Sequence, residues 1–306
     1  MHTPLHLSTP LFNDHHWSET HQCNIWLKMD CYQPVASFKI RGIGLHCQRM
    51  KEKGCTHFIS ASGGNAGLAT AYAGKMLNVP TTVVVPASTS SFMADKIRQL
   101  GAQVLIHGQI WDEANEKAIQ LAQHPDVAYI HPFDHPDIWE GHATAIEECA
   151  QQIDPPDVII VAVGGGGYFS GICQGIRSLG WGDTDVITAE TFGAASMKAS
   201  MDARKHIAID KIDTVATTLG AKKIANQSFQ DGITHQVQSY AVNDTQALSA
   251  CKTFLNEWAC LVEPACGAAL CAIYEEKLDI LSSYNSALVM VCGGAGMQID
   301  QFENIF

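Results

Sequence analysis

Lys39 stands in the run Ser37-Phe38-Lys39-Ile40, with apolar side chains on both sides. A lysine held among apolar groups loses ammonium solvation, so its pKa falls and the neutral amine becomes a nucleophile. That is the state needed to form a Schiff base with an aldehyde cofactor. Most lysines in such company merely snorkel to solvent, so Lys39 gains a chemical reading only from loops further along the chain. Gly164-Gly165-Gly166-Gly167-Tyr168 follows an apolar run and opens a helical pattern. Successive N–H groups at a helix N-terminus make an anion cradle sized for one phosphate. A dinucleotide motif would need glycine at 169 or 170, where Phe169 and Ser170 stand. A Walker-type loop would need Lys and Ser/Thr where Ile172 and Cys173 stand. A tight turn without ligand is the other reading of the four glycines.

Ser60-Ala61-Ser62-Gly63-Gly64-Asn65 is a second strand-to-helix junction. Its N–H groups and the Ser62 hydroxyl suit a carboxylate, and Asn65 offers donor and acceptor atoms for a hydroxyl or phenolic oxygen. Asn65 as a plain helix cap is the competing reading. Cys292-Gly293-Gly294 follows the last apolar run. A neutral thiol there can bond weakly to a ring nitrogen without protonating it.

The elements that position these residues alternate in type. Strands are predicted at Thr56–Ala61, Thr81–Pro86, Gln103–Ile106, Val127–Ile130, Val158–Val163, Val186–Glu190 and Ala287–Cys292. Helices are predicted at Lys39–Lys53, Asn65–Leu77, Ser91–Leu100, Trp111–Gln123, Glu140–Gln152, Phe169–Leu179, Thr245–Trp258 and Ala265–Glu276. Such alternation implies an α/β protein with parallel sheets wrapped on both faces by helices. Residues 1 to about 35 read as an irregular lead-in with a short extended stretch at Asn24–Met29, and 192–240 gives no clear pattern. The composition break at 131–137 marks a crossing between two α/β units.

The 306 residues are 46% hydrophobic and carry a formal net charge of -12, which argues against a nucleic-acid surface. No apolar stretch reaches membrane-spanning length, and the N-terminus lacks a basic region followed by an apolar core. Eleven scattered cysteines, an odd count, favour reduced thiols in a cytoplasm. His131 and His135 have helical spacing, but Pro132 and Pro136 break the helix that would pair them, so no metal site is expected from that pair.

Together SFKIRG, SASGGNAG, GGGGYFSG and CGG, in this order, resemble fold-type II pyridoxal-phosphate enzymes, the tryptophan synthase β family. Longer stretches (HPFDHPDIWEGHAT, AETFGAASM, LVEPACGAAL) are similar to those of L-serine/L-threonine dehydratases within it. The resemblance implies two doubly wound domains with pyridoxal 5'-phosphate in the cleft between them. Residues 1–39 and 135–306 would form the large cofactor-binding domain, and 40–134 the small one. By the same resemblance Lys39 is the Schiff-base lysine, Phe38 packs on the cofactor ring, and Gly164, Gly165, Gly166, Gly167 and Tyr168 hold the phosphate. Asn65 bonds the ring oxygen, Cys292 faces the ring nitrogen, and Ser62, Gly63 and Asn65 take the substrate carboxylate. A monovalent cation, K⁺, would be held by the Glu190 carboxylate and the main-chain oxygens of Gly164, Ala194, Leu219 and Ala221. The implied reaction is β-elimination from a small amino acid by a cytoplasmic homodimer. Rival readings are a racemase or β-replacing synthase of the same scaffold, a non-catalytic binding relative, and a dehydrogenase built on the glycine loop.

Three positions depart from the family's pattern. Gly63 stands where many animal serine dehydratases carry alanine, Thr218 replaces a small apolar residue, and Ala295-Gly296 replaces a frequent Ser-Asn. At Gly63 the missing Cβ is expected to leave a gap about one methyl wide beside the substrate, so that Gly63→Ala would tighten the loop.

Overall fold

In the computed structural model, which describes residues 3–300, two sheets organise the chain. In chain order the elements begin with β1 (Leu11–Asn13), α1 (His15–His21), β2 (Asn24–Lys28) and α2 (Lys39–Glu52). Next come β3 (His57–Ser60), α3 (Asn65–Leu77), β4 (Thr81–Val85), α4 (Ser91–Gln99), β5 (Gln103–Ile106), α5 (Trp111–Leu121) and β6 (Val127–Ile130). The chain then forms α6 (Pro136–Cys149), β7 (Val158–Ala162), α7 (Gly167–Leu179), β8 (Asp185–Thr191), α8 (Ser196–Asp202), α9 (Asn226–Thr234) and β9 (Gln238–Val242). It closes with α10 (Asp244–Trp258), α11 (Pro264–Tyr274) and β10 (Ser286–Met290).

The smaller sheet has the order β5-β4-β3-β6 and is parallel throughout. Strand side chains alternate between faces, and the core follows that period. Phe58, Val83 and Val85 pack with α2, α3 and α4, whereas Ile59 and Val84 pack with Ala114 and Ala118 of α5. Both faces are thus covered, which explains the unbroken Thr81–Val85 run, buried at every position. The larger sheet has the order β1-β2-β10-β7-β8-β9, with only β1 antiparallel. Helix α11, almost all small or apolar, buries ten residues from Pro264 to Ile273 and packs against β7 and β8.

The α/β architecture with two helix-flanked parallel sheets is as expected, and several boundaries are corrected. The lead-in is not irregular: β1, α1 and β2 build one side of the large sheet, with β2 parallel to β10. Their pattern is too short to read locally, because β2 owes its place to a strand some 260 residues away. The unread stretch 192–240 holds α8, α9 and β9. Helix α6 starts four residues before the predicted Glu140, with His135 as N-cap and Pro136 in its first turn, where a missing N–H costs nothing. The last strand ends at Met290, which leaves Cys292 in the turn beyond it.

Candidate active site

Lys39 is the first residue of α2, and its Nζ donates to the Pro132 carbonyl at 3.0 Å. Part of its side chain stays open, while the amine itself is enclosed by protein; burial lowers its pKa to about 8. The segment before Lys39 is stitched to the Cys-Gly-Gly turn. Ser37 bridges Gly293, the Phe38 N–H donates to the Cys292 carbonyl at 3.1 Å, and the Gly294 N–H donates to the Ala36 carbonyl at 2.7 Å. Gly293 has φ +77°, and a Cβ there would lie 2.2 Å from the Ala36 oxygen, so this stitch requires glycine. The buried Cys292 thiol is pushed well above its ordinary pKa, first by its bond with the Cys266 thiol and then by burial, and is therefore neutral.

The glycine loop is tight on every side. Gly166 has φ +92° and a Cβ there would meet the Ser228 hydroxyl at 2.1 Å; at Gly165 it would strike the Phe133 ring at 2.4 Å. Among the described residues, the main-chain N–H groups of 164 to 168 donate to no protein acceptor. Five free donors at the N-terminus of a 13-residue helix fit a phosphate. The Tyr168 side chain turns away from them: its hydroxyl donates to Asp30 Oδ2 at 2.7 Å. Its ring stacks on Phe38 at 4.0 Å between centroids, which leaves only the other face of Phe38 for a ligand.

At the second loop, the Ser62 hydroxyl accepts from the Gly64 N–H at 3.3 Å. Asn65 donates from Nδ2 to Glu263 Oε2 at 2.9 Å and accepts the Ala295 N–H on Oδ1 at 2.9 Å, so one Nδ2 hydrogen remains for a ligand oxygen. The expected gap at Gly63 is absent. Its φ is not positive, yet a Cβ would lie 2.2 Å from Thr89 Oγ1 and 2.6 Å from Thr89 Cγ2, because Thr89 already fills that space. The reading of a loose loop is therefore wrong.

The positions expected to hold a cation fall on β8 and the turn after it, the start of the glycine loop, and the turn at 217–221. Glu190 is fully buried, and burial raises its pKa to about 8 in spite of N–H donors from Lys198 and Met197. Its Oε1 accepts from Met197 at 2.8 Å and its Oε2 from Lys198 at 2.7 Å. Gly164 lies against Thr218 and Leu219, and the Leu219 oxygen already accepts the Ala221 N–H at 2.7 Å. Ala194 is buried in the short turn after β8.

Sequence reasoning missed several participants. Glu263, inside the quoted stretch LVEPAC, accepts from Asn65, from Thr218 Oγ1 (2.9 Å) and from the Gly296 N–H (2.5 Å), and burial raises its pKa. Ala295 and Gly296 thus act here through their main chains. Behind Lys39, the buried Arg41 guanidinium binds Asp30 (Nη2–Oδ1 2.7 Å) and Glu148 (Nη1–Oε1 2.7 Å), and Lys28 joins Glu148 at 2.5 Å. Burial alone would raise the Asp30 pKa, but Arg41, with bonds from Tyr168 and Thr9, holds it at about 2. Arg41 lies in the quoted SFKIRG, and a charged residue inside an apolar pattern was its only signal. His142 is buried with both ring nitrogens unpartnered, 5.0 Å from the Phe38 ring, and burial keeps it neutral.

A sequence profile described as pyridoxal-phosphate dependent enzyme matches residues 2–293. The chain belongs to that family. It is 42% identical to a human protein named L-serine dehydratase/L-threonine deaminase, over 98% of this chain and 94% of that one. It is 40% identical to the L-serine dehydratase of Dictyostelium discoideum, over 99% and 92%. The crystal structure of a fungal L-serine ammonia-lyase from Rhizomucor miehei superposes with TM-score 0.94 at 33% identity, covering 99% of this chain and 98% of that one. The chemistry of the residues present fits the family's cofactor: an enclosed amine of lowered pKa, five N–H donors that meet no protein acceptor among the described residues, and a neutral thiol.

Proposed function

We propose that the protein is a pyridoxal-phosphate-dependent L-serine dehydratase that converts L-serine to pyruvate and ammonia and L-threonine to 2-oxobutanoate. The observation that carries this reading is the Lys39 amine: burial lowers its pKa, and it donates to the carbonyl of Pro132, whose neighbour Phe133 lies against Gly165 and Gly167 of the free-donor loop. Bound pyridoxal phosphate supplies a carbonyl that condenses with amines and a ring that accepts the electron pair left at Cα. The N–H groups of 164 to 168 would hold its phosphate, Asn65 would bond its ring oxygen, Phe38 would pack on it, and Cys292 would face the ring nitrogen. Ser62, Gly63 and Asn65 bind the substrate carboxylate and thereby align Cα–H with Lys39. Lys39 would take the Cα proton on Nζ; its lowered pKa keeps a useful fraction neutral near pH 8. The neutral Cys292 donates no full charge, which favours loss of the β-hydroxyl over return of the proton. The hydroxyl departs as water, the balance of the proton removed from Cα, and one water then hydrolyses the resulting enamine to pyruvate and ammonia.

Residues 1–39 and 135–306 act as the cofactor-binding domain and 40–134 as the domain bearing the carboxylate loop; 1–2 and 301–306 lie outside the described residues. The Glu190 carboxylate and the oxygens of Gly164, Ala194, Leu219 and Ala221 take K⁺, a hard-oxygen set that suits a weakly held ion. The enzyme works as a cytoplasmic homodimer. No described helix is long and apolar enough to cross a membrane. The deciding experiment supplies L-serine to the cofactor-loaded protein and measures pyruvate and ammonia. Equal yields that vanish in Lys39→Ala support the proposal; D-serine or no product overturns it.

A further inference from the structure

The Asn65 amide could present either its NH2 or its oxygen to a ligand, and its protein neighbours decide which. Oδ1 accepts the Ala295 N–H and Nδ2 donates to Glu263 Oε2, both at 2.9 Å. Turned over, the amide would set its oxygen against a carboxylate and its NH2 against an N–H, two repulsive contacts at once. Asn65 is buried, so water cannot relieve either contact. One orientation survives, and it depends on residue 263 accepting hydrogen bonds without donating any.

Glu263 meets that condition. Its Oε2 accepts from Asn65 Nδ2 and Thr218 Oγ1, each at 2.9 Å, and its Oε1 accepts the Gly296 N–H at 2.5 Å. An ionised carboxylate carries no hydrogen and can accept from all of them, whereas an amide has only one oxygen to offer. Burial pushes Glu263 toward its neutral form, and these donors, with the Lys96 ammonium, oppose that. Glu263 is also the N-cap residue of α11, whose positive end favours a negative charge. The turn after Cys292 makes room for it. A Cβ at Gly294 would lie 2.2 Å from Glu263 Cδ, and one at Gly296 would lie 2.8 Å from Oε1. Thr218, one of the departures from the family's pattern, brings a hydroxyl donor that a small apolar residue lacks.

We propose that Glu263 is a positioning residue: it holds the Asn65 amide with an Nδ2 hydrogen presented to the ring oxygen of pyridoxal phosphate, and the Thr218 hydroxyl holds Glu263 in place for it. The inference rests on the cofactor contact assigned to Asn65 under the proposed function. A donor at Nδ2 favours the ring oxygen without its proton; a reversed amide would present Oδ1 and require that proton to stay. In Glu263→Gln the side-chain oxygen must serve the main-chain Gly296 N–H, which leaves an NH2 group facing Asn65 Nδ2. Thr218 can rotate its hydroxyl to accept. Asn65 cannot accept on Nδ2, so its amide is displaced or reversed.

The test measures equilibrium release of pyridoxal phosphate from the loaded enzyme, together with the absorbance of the bound cofactor. Glu263→Gln should raise the Kd about tenfold, the loss of one good hydrogen bond, and increase the share of cofactor whose ring oxygen keeps its proton. Asn65→Ala should weaken binding to a similar extent, and adding Glu263→Gln to it should change the Kd by less than about twofold. Thr218→Val, at an exposed position, removes only the hydroxyl and should move both readouts in the same direction; Thr218→Ser should restore them. These two variants decide the matter even if Glu263→Gln does not fold. A carboxylate that merely ties α11 to α3 predicts additive losses and an unchanged spectrum. Additivity in the double variant, an unaltered spectrum in Glu263→Gln, or Thr218→Val indistinguishable from the parent overturns the proposal. Failure of the dehydratase reading shows elsewhere, as no pyruvate from L-serine in the parent enzyme.

Discussion

Gly63→Ala should slow the enzyme, and Thr89 is the reason. An added Cβ lies 2.2 Å from Thr89 Oγ1, where ordinary contact begins near 3.4 Å, so the two groups must separate by about 1.2 Å. If loop and threonine share the movement, the N–H groups proposed to bind the carboxylate shift by about 0.6 Å. Since misplacement of about 1 Å can cost about a hundredfold in rate, kcat/KM for L-serine should fall about tenfold. Overpacking of this kind also costs about 1–3 kcal/mol of stability, visible as a lower denaturant midpoint. Thr89→Gly removes the three atoms nearest the new methyl, and the double variant should return to within about twofold of Thr89→Gly alone, a large non-additivity. Steady-state kinetics on L-serine with all three variants decides the matter. Gly63→Ala that matches or exceeds the parent, or a double variant as slow as Gly63→Ala, would refute the packing argument.

Cofactor uptake offers a second check. The neutral Lys39 amine is the reacting form, so the rate of pyridoxal phosphate capture by cofactor-free protein should rise with pH through about 8. Lys39→Ala should keep the fold, shown by an unchanged circular dichroism spectrum, and resist borohydride trapping. Arg41→Met leaves the buried Asp30 without its cationic partner and Glu148 with Lys28 alone, and should cost about 3–5 kcal/mol in urea unfolding. Asp30 is depressed in the folded state, so its contribution is complete above its ordinary 3.8 and is lost as pH falls toward about 2; Arg41→Met should flatten that acid limb. Glu190 is raised, so the folded protein holds an extra proton and stability should fall as pH climbs from 4.5 to about 8 in cation-free buffer. K⁺ should abolish that decline, and a K⁺-independent melting profile would remove Glu190 from the cation site.

Much of the site was legible because its devices are local. A glycine run between an apolar strand and a helix, or a lysine at a helix start, shows in a few neighbouring residues. What escaped was long-range. Glu263 becomes a partner of Asn65 only when α11 meets α3, 198 residues apart in sequence. Arg41 finds Glu148 across 107 residues, and nothing near either one announces it. Thr89 reversed the expectation for Gly63 because an empty space in one loop can be filled from another, 26 positions on. Strands β1 and β2 were missed for the same reason: short segments take their identity from the neighbours they pair with.

The strand order also governs how the chain is assembled during synthesis. All four strands of the small sheet come from one continuous stretch, His57 to Ile130, so that unit can form while the rest is still being made. The large sheet cannot: β2 must wait for β10, which is also the bridge between β2 and β7. Until β10 arrives, β2 presents an unpaired, apolar edge, a hazard for association between nascent chains. The same late strand leads into Cys292 and the turn that fixes Ser37 and Phe38, so Lys39 is locked in place only at the last step. The turn that fixes the segment before Lys39 thus forms only once β10 is in place, and chains that lack β10 should be inert toward amino acids even when the small sheet has formed.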